Sequence, residues 1–359
     1  MSTLRVALVG CGDHGRHGHL EAYQKLIQAG EDLDVVAVCD RDEGRAKSAA
    51  ETLPSGRWYC DYEEMLADQR PDAVSIATPP AFHRAHVMAA LRSGAHVLCE
   101  KPLAMNLAEA REMVTAAEEG GRILTMGLEH RYVPASDYLR SIVMRGDLGQ
   151  VYHTRLWCGH VWKLPPSPHF LQRSLAGGGV IAATAVHWLD LALWILGNPN
   201  VVTVSASTFA KAPRLRVPPP PFSNAPEGAR ILTADNVEDF AVGFLRFADG
   251  STLSLEANWL QHPTHRRIGI QFLAEYGVAE HRPLAVRWDG DGQIVDRTPP
   301  DRPSEPADHY FLAVARDFLH AVRTGRPTFI TGPQMLQVQA MVDALYESAR
   351  RQCEVRLGE

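Results

Sequence analysis

Three glycines, Gly10, Gly12 and Gly15, stand directly after the apolar run Leu4-Arg-Val-Ala-Leu-Val9 and directly before a helical pattern. That placement narrows the fold more than any other feature of the chain. In G-x-G-x-x-G spacing the first glycine permits a tight turn, and the second lets backbone approach a pyrophosphate. The third lets the following helix pack closely, so that its N-terminal N–H groups face the anion. The triplet is weak by itself; a strand before it and a helix after it make it a dinucleotide-binding signature.

The next strand, Val35-Val-Ala-Val-Cys-Asp40, ends on a carboxylate suited to accept hydrogen bonds from an adenosine ribose. An acid there repels a 2′-phosphate, so NAD is preferred over NADP. Asp40 lies farther from the glycines than the usual spacing of ~20 residues, and Gln28-Ala-Gly-Glu-Asp-Leu-Asp34 absorbs the excess. Arg41, beside it, is a guanidinium that suits a phosphate, which leaves NADP use open.

Strand-like runs at 4–10, 35–40, 73–78, 95–99 and 123–127 alternate with helical patterns near 16–29, 43–53, 62–68, 81–93 and 107–119. Asp61 with Glu64 forms a capping pair ahead of the third helix. This alternation predicts a parallel sheet covered by helices on both faces, with ligands beyond the carboxyl ends of its strands. Those ends carry Gly10, Asp40, Thr78-Pro79-Pro80 and Glu100-Lys101.

From about residue 125 the pattern changes. A helix near 134–145 leads to a strand around 150–157, an irregular segment, Gly177-Gly-Gly179 and a helix near 184–196. Long period-two runs follow at 201–210, 237–247, 251–259 and 266–273, with turn signals at Asp249-Gly250 and Asp289-Gly-Asp-Gly292. Pro213 to Ala229, which contains Pro218-Pro-Pro-Pro221, reads as an extended loop. Helices near 308–324 and 332–352 finish the chain. The fold class is therefore α/β: residues 1–125 form a Rossmann-type dinucleotide domain, and residues 126–359 an α/β domain on an open, mostly antiparallel sheet. One face of that sheet is available to a partner subunit, and the C-terminal helices can return to the first domain.

At 359 residues the chain can bury two cores. A net charge of −6 gives no reason to expect nucleic acid or an anionic membrane as partner. No run approaches the ~20 continuous apolar residues of a membrane span, and the chain enters a strand with no signal-peptide pattern. Cys11, Cys39, Cys60, Cys99, Cys158 and Cys353 include no C-x-x-C, so a cytoplasmic protein with reduced thiols is expected. His14, His17 and His19 lack cysteine or acidic company at metal-ligand spacing, and no metal is expected.

Thr78-Pro79-Pro80-Ala-Phe-His83, Gly94-Ala-His-Val-Leu-Cys-Glu-Lys-Pro102, the segment from Gly177 to Asp190 and the ending from Asp317 to Pro327 together resemble the Gfo/Idh/MocA family of sugar and cyclitol oxidoreductases. The resemblance runs over nearly the whole chain. It implies hydride transfer between a nicotinamide ring and a carbinol carbon, with a second domain that binds sugar or polyol and builds a dimer or tetramer. It implies that Gly10, Gly12, Asp13 and His14 line the pyrophosphate, with Asp40 and Arg41 at the ribose. Thr78, Pro79 and His83 would flank the cofactor. Glu100 would reach the nicotinamide ribose, and Lys101 would point at the substrate hydroxyl, where an ammonium stabilises a developing alkoxide.

His187 is the other proton carrier the resemblance implies, although Val186, Trp188 and Leu189 around it would equally suit a packed core histidine. Asp190, three residues on, is placed either to orient that ring or to cap or pair elsewhere. Arg131, in Glu129-His-Arg-Tyr132, and Trp162-Lys163 fall where the family contacts substrate, together with His169; a tryptophan there can stack on a sugar ring. One position departs from the pattern: Ala183 stands where family dehydrogenases carry an aspartate, four residues before the histidine. Either Lys101 and His187 suffice, or Thr184, His130, His160 or Lys163 substitutes. Three readings stay open: an NAD-linked dehydrogenase of a sugar, glycoside or cyclitol; a redox-neutral glycoside-cleaving or eliminating enzyme that retains NAD; and a non-catalytic sugar or dinucleotide sensor.

Overall fold

A parallel sheet forms wherever strands too apolar for one wet face alternate with helices, and the N-terminal third of this chain does so in the computed structural model. The structure describes residues 3–161, 164–165, 167–211, 237–290, 292–299 and 310–358. The proline-rich loop, Trp162, Lys163 and Asp291 of the second turn signal lie outside the described residues. Two compact units divide the chain: Met1–Glu129 with Ala307–Gln339, and His130–Pro306 with Ala340–Glu359.

In the first unit the strands are β1 (Leu4–Val9), β2 (Leu33–Cys39), β3 (Trp58–Tyr59), β4 (Ala73–Ile76), β5 (His96–Cys99) and β6 (Leu124–Met126). All pair in parallel, in the order β3-β2-β1-β4-β5-β6. This is the doubly wound order whose chain reversal at β1/β4 creates the ligand crevice. Val6, Leu8, Ile76 and Leu98 are fully buried in it, as strands covered on both faces require. Between them run α1 (Glu21–Gln28), α2 (Glu43–Ala50), α3 (Tyr62–Gln69), α4 (His83–Arg92) and α5 (Leu107–Glu119). Asp42, Asp61 and Asn106 cap α2, α3 and α5 by accepting hydrogen bonds from first-turn N–H groups. The two-residue β3 is too short to carry a periodic signal.

In the second unit α6 (Pro134–Arg145) precedes β7 (Val151–Val161), which runs four residues beyond its expected end. A short helix α7 (Arg173–Ala176) and a π-helical turn (Ile181–Ala185) then lead into α8 (Val186–Ile195). Next come β8 (Val201–Phe209), β9 (Phe240–Phe247), β10 (Thr252–Gln261), β11 (Gly269–Ala274), β12 (Gly277–His281), β13 (Ala285–Gly290) and β14 (Gln293–Asp296). Helices α9 (Tyr310–Thr324) and α10 (Gly332–Arg351) and the strand β15 (Val355–Arg356) end the chain.

The second sheet runs β14-β13-β12-β11-β7-β10-β9-β8-β15. Every pairing in it is antiparallel except β7 with β10, where Leu156 faces Leu255. Along β10, Leu253, Leu255, Ala257 and Trp259 are buried and their neighbours half-exposed, so one face is packed. Helix α8 packs on β7, and α6 on α8 and β12. The opposite face mixes Phe244, Val242 and Trp157 with Arg155 and Glu256. The stretch Arg173–Ile195 is apolar enough by length and composition to cross a membrane, but 89% of its apolar window is buried within this unit, as in a core helix.

Cys11, Cys39, Cys99 and Cys158 are buried free thiols, and burial pushes Cys11 and Cys39 up to about 12. Cys60 and Cys353 are exposed. A thiol-specific chromogenic reagent should therefore label two cysteines in the folded protein and all six after denaturation. Rapid labelling of more than two before unfolding would contradict the packing of β1, β2 and β5.

Candidate active site

Backbone sterics explain the glycine loop in the first unit. Gly10 has φ +92°, and a Cβ there would lie 2.6 Å from the Ala77 carbonyl. A Cβ on Gly15 would come within 1.8 Å of the Gly10 oxygen, so only glycine lets the helix seat against the loop. At Gly12 a Cβ would meet nothing within 4 Å, which leaves its backbone open to a group approaching from outside the chain. Internal packing asks for glycine at the first and third positions, and close ligand approach asks for it at the second. The residues fit a dinucleotide.

The turn after the loop is π-helical, His14–Leu20, ahead of α1. Asp13 and His14 are exposed at its start, and His14 meets Phe311 edge-on at 5.9 Å. Its three histidines diverge: His17 pairs with Glu21 at 2.9 Å, and His19 turns inward. At the end of β2, Asp40 accepts from the Cys11 N–H at 2.8 Å with one oxygen and from the Asp42 N–H at 2.9 Å with the other. The carboxylate is thus fixed beside the glycine loop with lone pairs left for a ribose. Arg41 is exposed, its guanidinium 5.9 Å from the Phe82 ring.

At the end of β4, the Thr78 hydroxyl meets His86 Nδ1 at 3.2 Å, and burial takes His86 down to about 4. Pro79 leads into a single helical turn, Pro80–Phe82. His83 is fully buried. Its Nε2 meets the Thr78 carbonyl at 2.7 Å and its Nδ1 the Pro102 carbonyl at 2.9 Å. Burial lowers its pKa against the pull of those carbonyls. The ring is an internal clip between the loop after β4 and the loop after β5.

Glu100 is 5% exposed. Its Oε1 lies 2.9 Å from His19 Nε2, and its Oε2 accepts the Lys101 N–H at 3.2 Å. Burial alone would raise this carboxyl; the bond and charge of His19, aided by His14 and Lys101, hold it at about 2. Lys101 is half-buried, at a cis peptide to Pro102.

In the second unit the triple glycine has a different explanation. A Cβ on Gly178 would sit 1.8 Å from the Tyr346 hydroxyl, and one on Gly179 would sit 1.9 Å from the Glu238 carbonyl. The Glu238 carboxylate accepts from the Gly179 and Ile181 N–H groups at 2.9 and 3.0 Å and from the Tyr346 hydroxyl at 2.8 Å. Burial raises the Glu238 pKa while those donors oppose it. Together they cap the π-helical turn that opens α8, and such turns recur at functional sites. Ala183 lies in the turn, and Thr184 beside it accepts from the Trp259 indole N–H at 2.8 Å.

His187 is buried on α8, its ring centroid 5.2 Å from that of His130. Asp190 and Arg131 form a two-pronged pair at 2.8 and 2.5 Å, 0% and 1% exposed. Of the two readings of Asp190, the pairing one is what the structure shows, with Arg131 as the partner. His160 is exposed on β7, and His169 lies against Phe170 at 4.3 Å. Sequence reasoning missed His19, Glu238 and Tyr346, and also His281, whose Nε2 meets the Ser136 hydroxyl at 3.1 Å. None stands in a motif, and each partner is distant in sequence.

Residues 4–128 match the model of the oxidoreductase family with an NAD-binding Rossmann fold, and residues 137–279 match the GFO/IDH/MocA C-terminal domain. The chain belongs to the Gfo/Idh/MocA family. As a member it is an oxidoreductase that uses NAD. Among Gfo/Idh/MocA relatives, D-glucoside 3-dehydrogenase of Escherichia coli K12 is 31% identical over 358 residues, 99% of this chain and 98% of that one. D-apiose dehydrogenase of Paraburkholderia graminis is 27% identical over 98% of this chain and 89% of its own. The structure of levoglucosan dehydrogenase with NADH and L-sorbose superposes with a TM-score of 0.82 at 23% identity, covering 100% of both chains, a likeness of fold.

Proposed function

We propose that this chain oxidises a secondary hydroxyl of a sugar, glycoside or cyclitol, a glucoside first among these, with Lys101 and His187 as the proton-handling groups. The observation that carries the reading is the match to a glucoside dehydrogenase over 99% of the chain. NAD, when bound, would supply the acceptor for the carbinol hydride. The Lys101 ammonium donates to the hydroxyl oxygen and stabilises it as its proton leaves, and the His187 imidazole accepts that proton. Glu100 and His83 hold the lysine's turn from inside, while Glu238 and Asp190 hold the helix of His187, so orientation supplies much of the rate. Arg131 acts through Asp190, and Trp162 and Lys163 remain proposed sugar contacts. The half-apolar open face of the second sheet supports a homodimer or homotetramer.

The test is NADH appearance with purified protein, NAD and a panel of glycosides, aldoses, polyols and inositols, repeated with NADP. Turnover on a glycoside or sugar, stronger with NAD than NADP because Asp40 is fixed at the ribose end, is the expected result. Bound NADH with silence across the panel would reject the dehydrogenase reading. Ala183 is compatible with one alternative. Transient oxidation of a hydroxyl acidifies a neighbouring C–H, permits glycoside cleavage and then returns the hydride, so it needs no net NADH. Aglycone release without NADH accumulation would identify it.

A further inference from the structure

We propose that His19 is a positioning residue for the Glu100-Lys101-Pro102 turn, and that its hydrogen bond with Glu100 ties the dinucleotide loop to the lysine. The two residues are 81 positions apart and meet at 2.9 Å, with His19 1% exposed. His19 sits in the turn that continues the glycine loop, and Glu100 directly follows β5. One carboxylate oxygen takes the imidazole and the other takes the backbone N–H of Lys101 itself. The orientation of that carboxylate therefore reaches Lys101 through the main chain, and His19 sets the orientation.

The surroundings are built for the pair. At Gly127 a Cβ would come within 2.8 Å of the same Glu100 oxygen, so the glycine makes room for the carboxylate. On the far side the Phe311 ring of α9 lies 5.4 Å from the His19 ring, and Gly18 admits it, since a Cβ there would stand 3.1 Å from Phe311. His19 is thus clamped between a helix face and the carboxylate. Burial favours a protonated Glu100, and His19 opposes it. Without His19 the carboxyl would tend to take up a proton and release the geometry it imposes on the lysine.

The experiment compares His19→Leu, His19→Gln, Glu100→Gln and the double variant His19→Leu/Glu100→Gln. NADH affinity is measured by fluorescence titration, kcat and KM separately, and thermal stability without cofactor. This inference rests on the proposed role of Lys101, but the titration and the stability cycle read the pair whatever the substrate. His19→Leu is expected to lower kcat about a hundredfold with a smaller change in KM. His19→Gln, whose amide still donates to the carboxylate, should recover most of the loss, and the single losses should combine less than additively in the double variant. Wild-type kcat in folded His19→Leu and His19→Gln, or strictly additive losses, would overturn the proposal. A wild-type chain inactive on the whole panel would instead reject the proposed function and leave the stability cycle to decide this one.

Discussion

Lys101→Met is expected to bind NADH as tightly as the unaltered chain and to turn over roughly a hundred- to ten-thousand-fold more slowly. The separation follows from how the turn is held. Glu100 grips residue 101 through its backbone N–H, and the His83 ring is anchored on the Pro102 carbonyl. Both contacts survive loss of the ammonium, and methionine fills nearly the same volume. What disappears is the cation at the hydroxyl, where the proton is lost. A fluorescence titration with NADH beside steady-state rates tests this; a parallel loss of affinity and rate would assign Lys101 to cofactor binding instead.

The second large effect is on stability. Asp190→Ala leaves the Arg131 guanidinium, 1% exposed, without the carboxylate that receives two of its N–H groups. Breaking one side of a buried pair costs about 3–5 kcal/mol, while replacing both sides with apolar residues costs much less. Asp190→Ala should therefore melt well below the unaltered chain, and Arg131→Met/Asp190→Leu should regain most of the difference. The same helix carries His187 one turn earlier, so kcat should fall in the single variant even where the protein stays folded. Equal melting of Asp190→Ala and the unaltered chain would mean that water or another group replaces the carboxylate.

How much of this could be read in the sequence depended on whether a residue's reason was local. Gly10 and Gly15 were legible because a turn and a helix seat demand glycine within six residues of each other. Asp40 was legible because a strand's end places it. The helix α3 announced itself through Asp61. The hairpins β12 to β14 did not, because strands of four to six residues, one of them wholly exposed, carry little apolar alternation. The internal bonds of His83 were not legible, because its Pro102 and Leu103 carbonyl partners lie about twenty residues downstream. Asp190 read equally as ring orienter or salt bridge until Arg131, 59 residues away, was placed against it. Glu238 and Tyr346, which explain the triple glycine, are 108 residues apart.

The first unit is assembled from both ends of the chain, since it needs Ala307–Gln339 as well as Met1–Glu129. Helix α9, which clamps His19 through Phe311, belongs to that late segment and packs on α1. During synthesis the early part of this unit therefore stays unfinished until the segment Ala307–Gln339 has been made. Contacts of such sequence separation are slow to form, and the waiting segment exposes apolar surface meanwhile. A nascent chain that has not yet delivered Ala307–Gln339 carries an incomplete dinucleotide unit, which makes it a candidate client for chaperones that bind chains still being made.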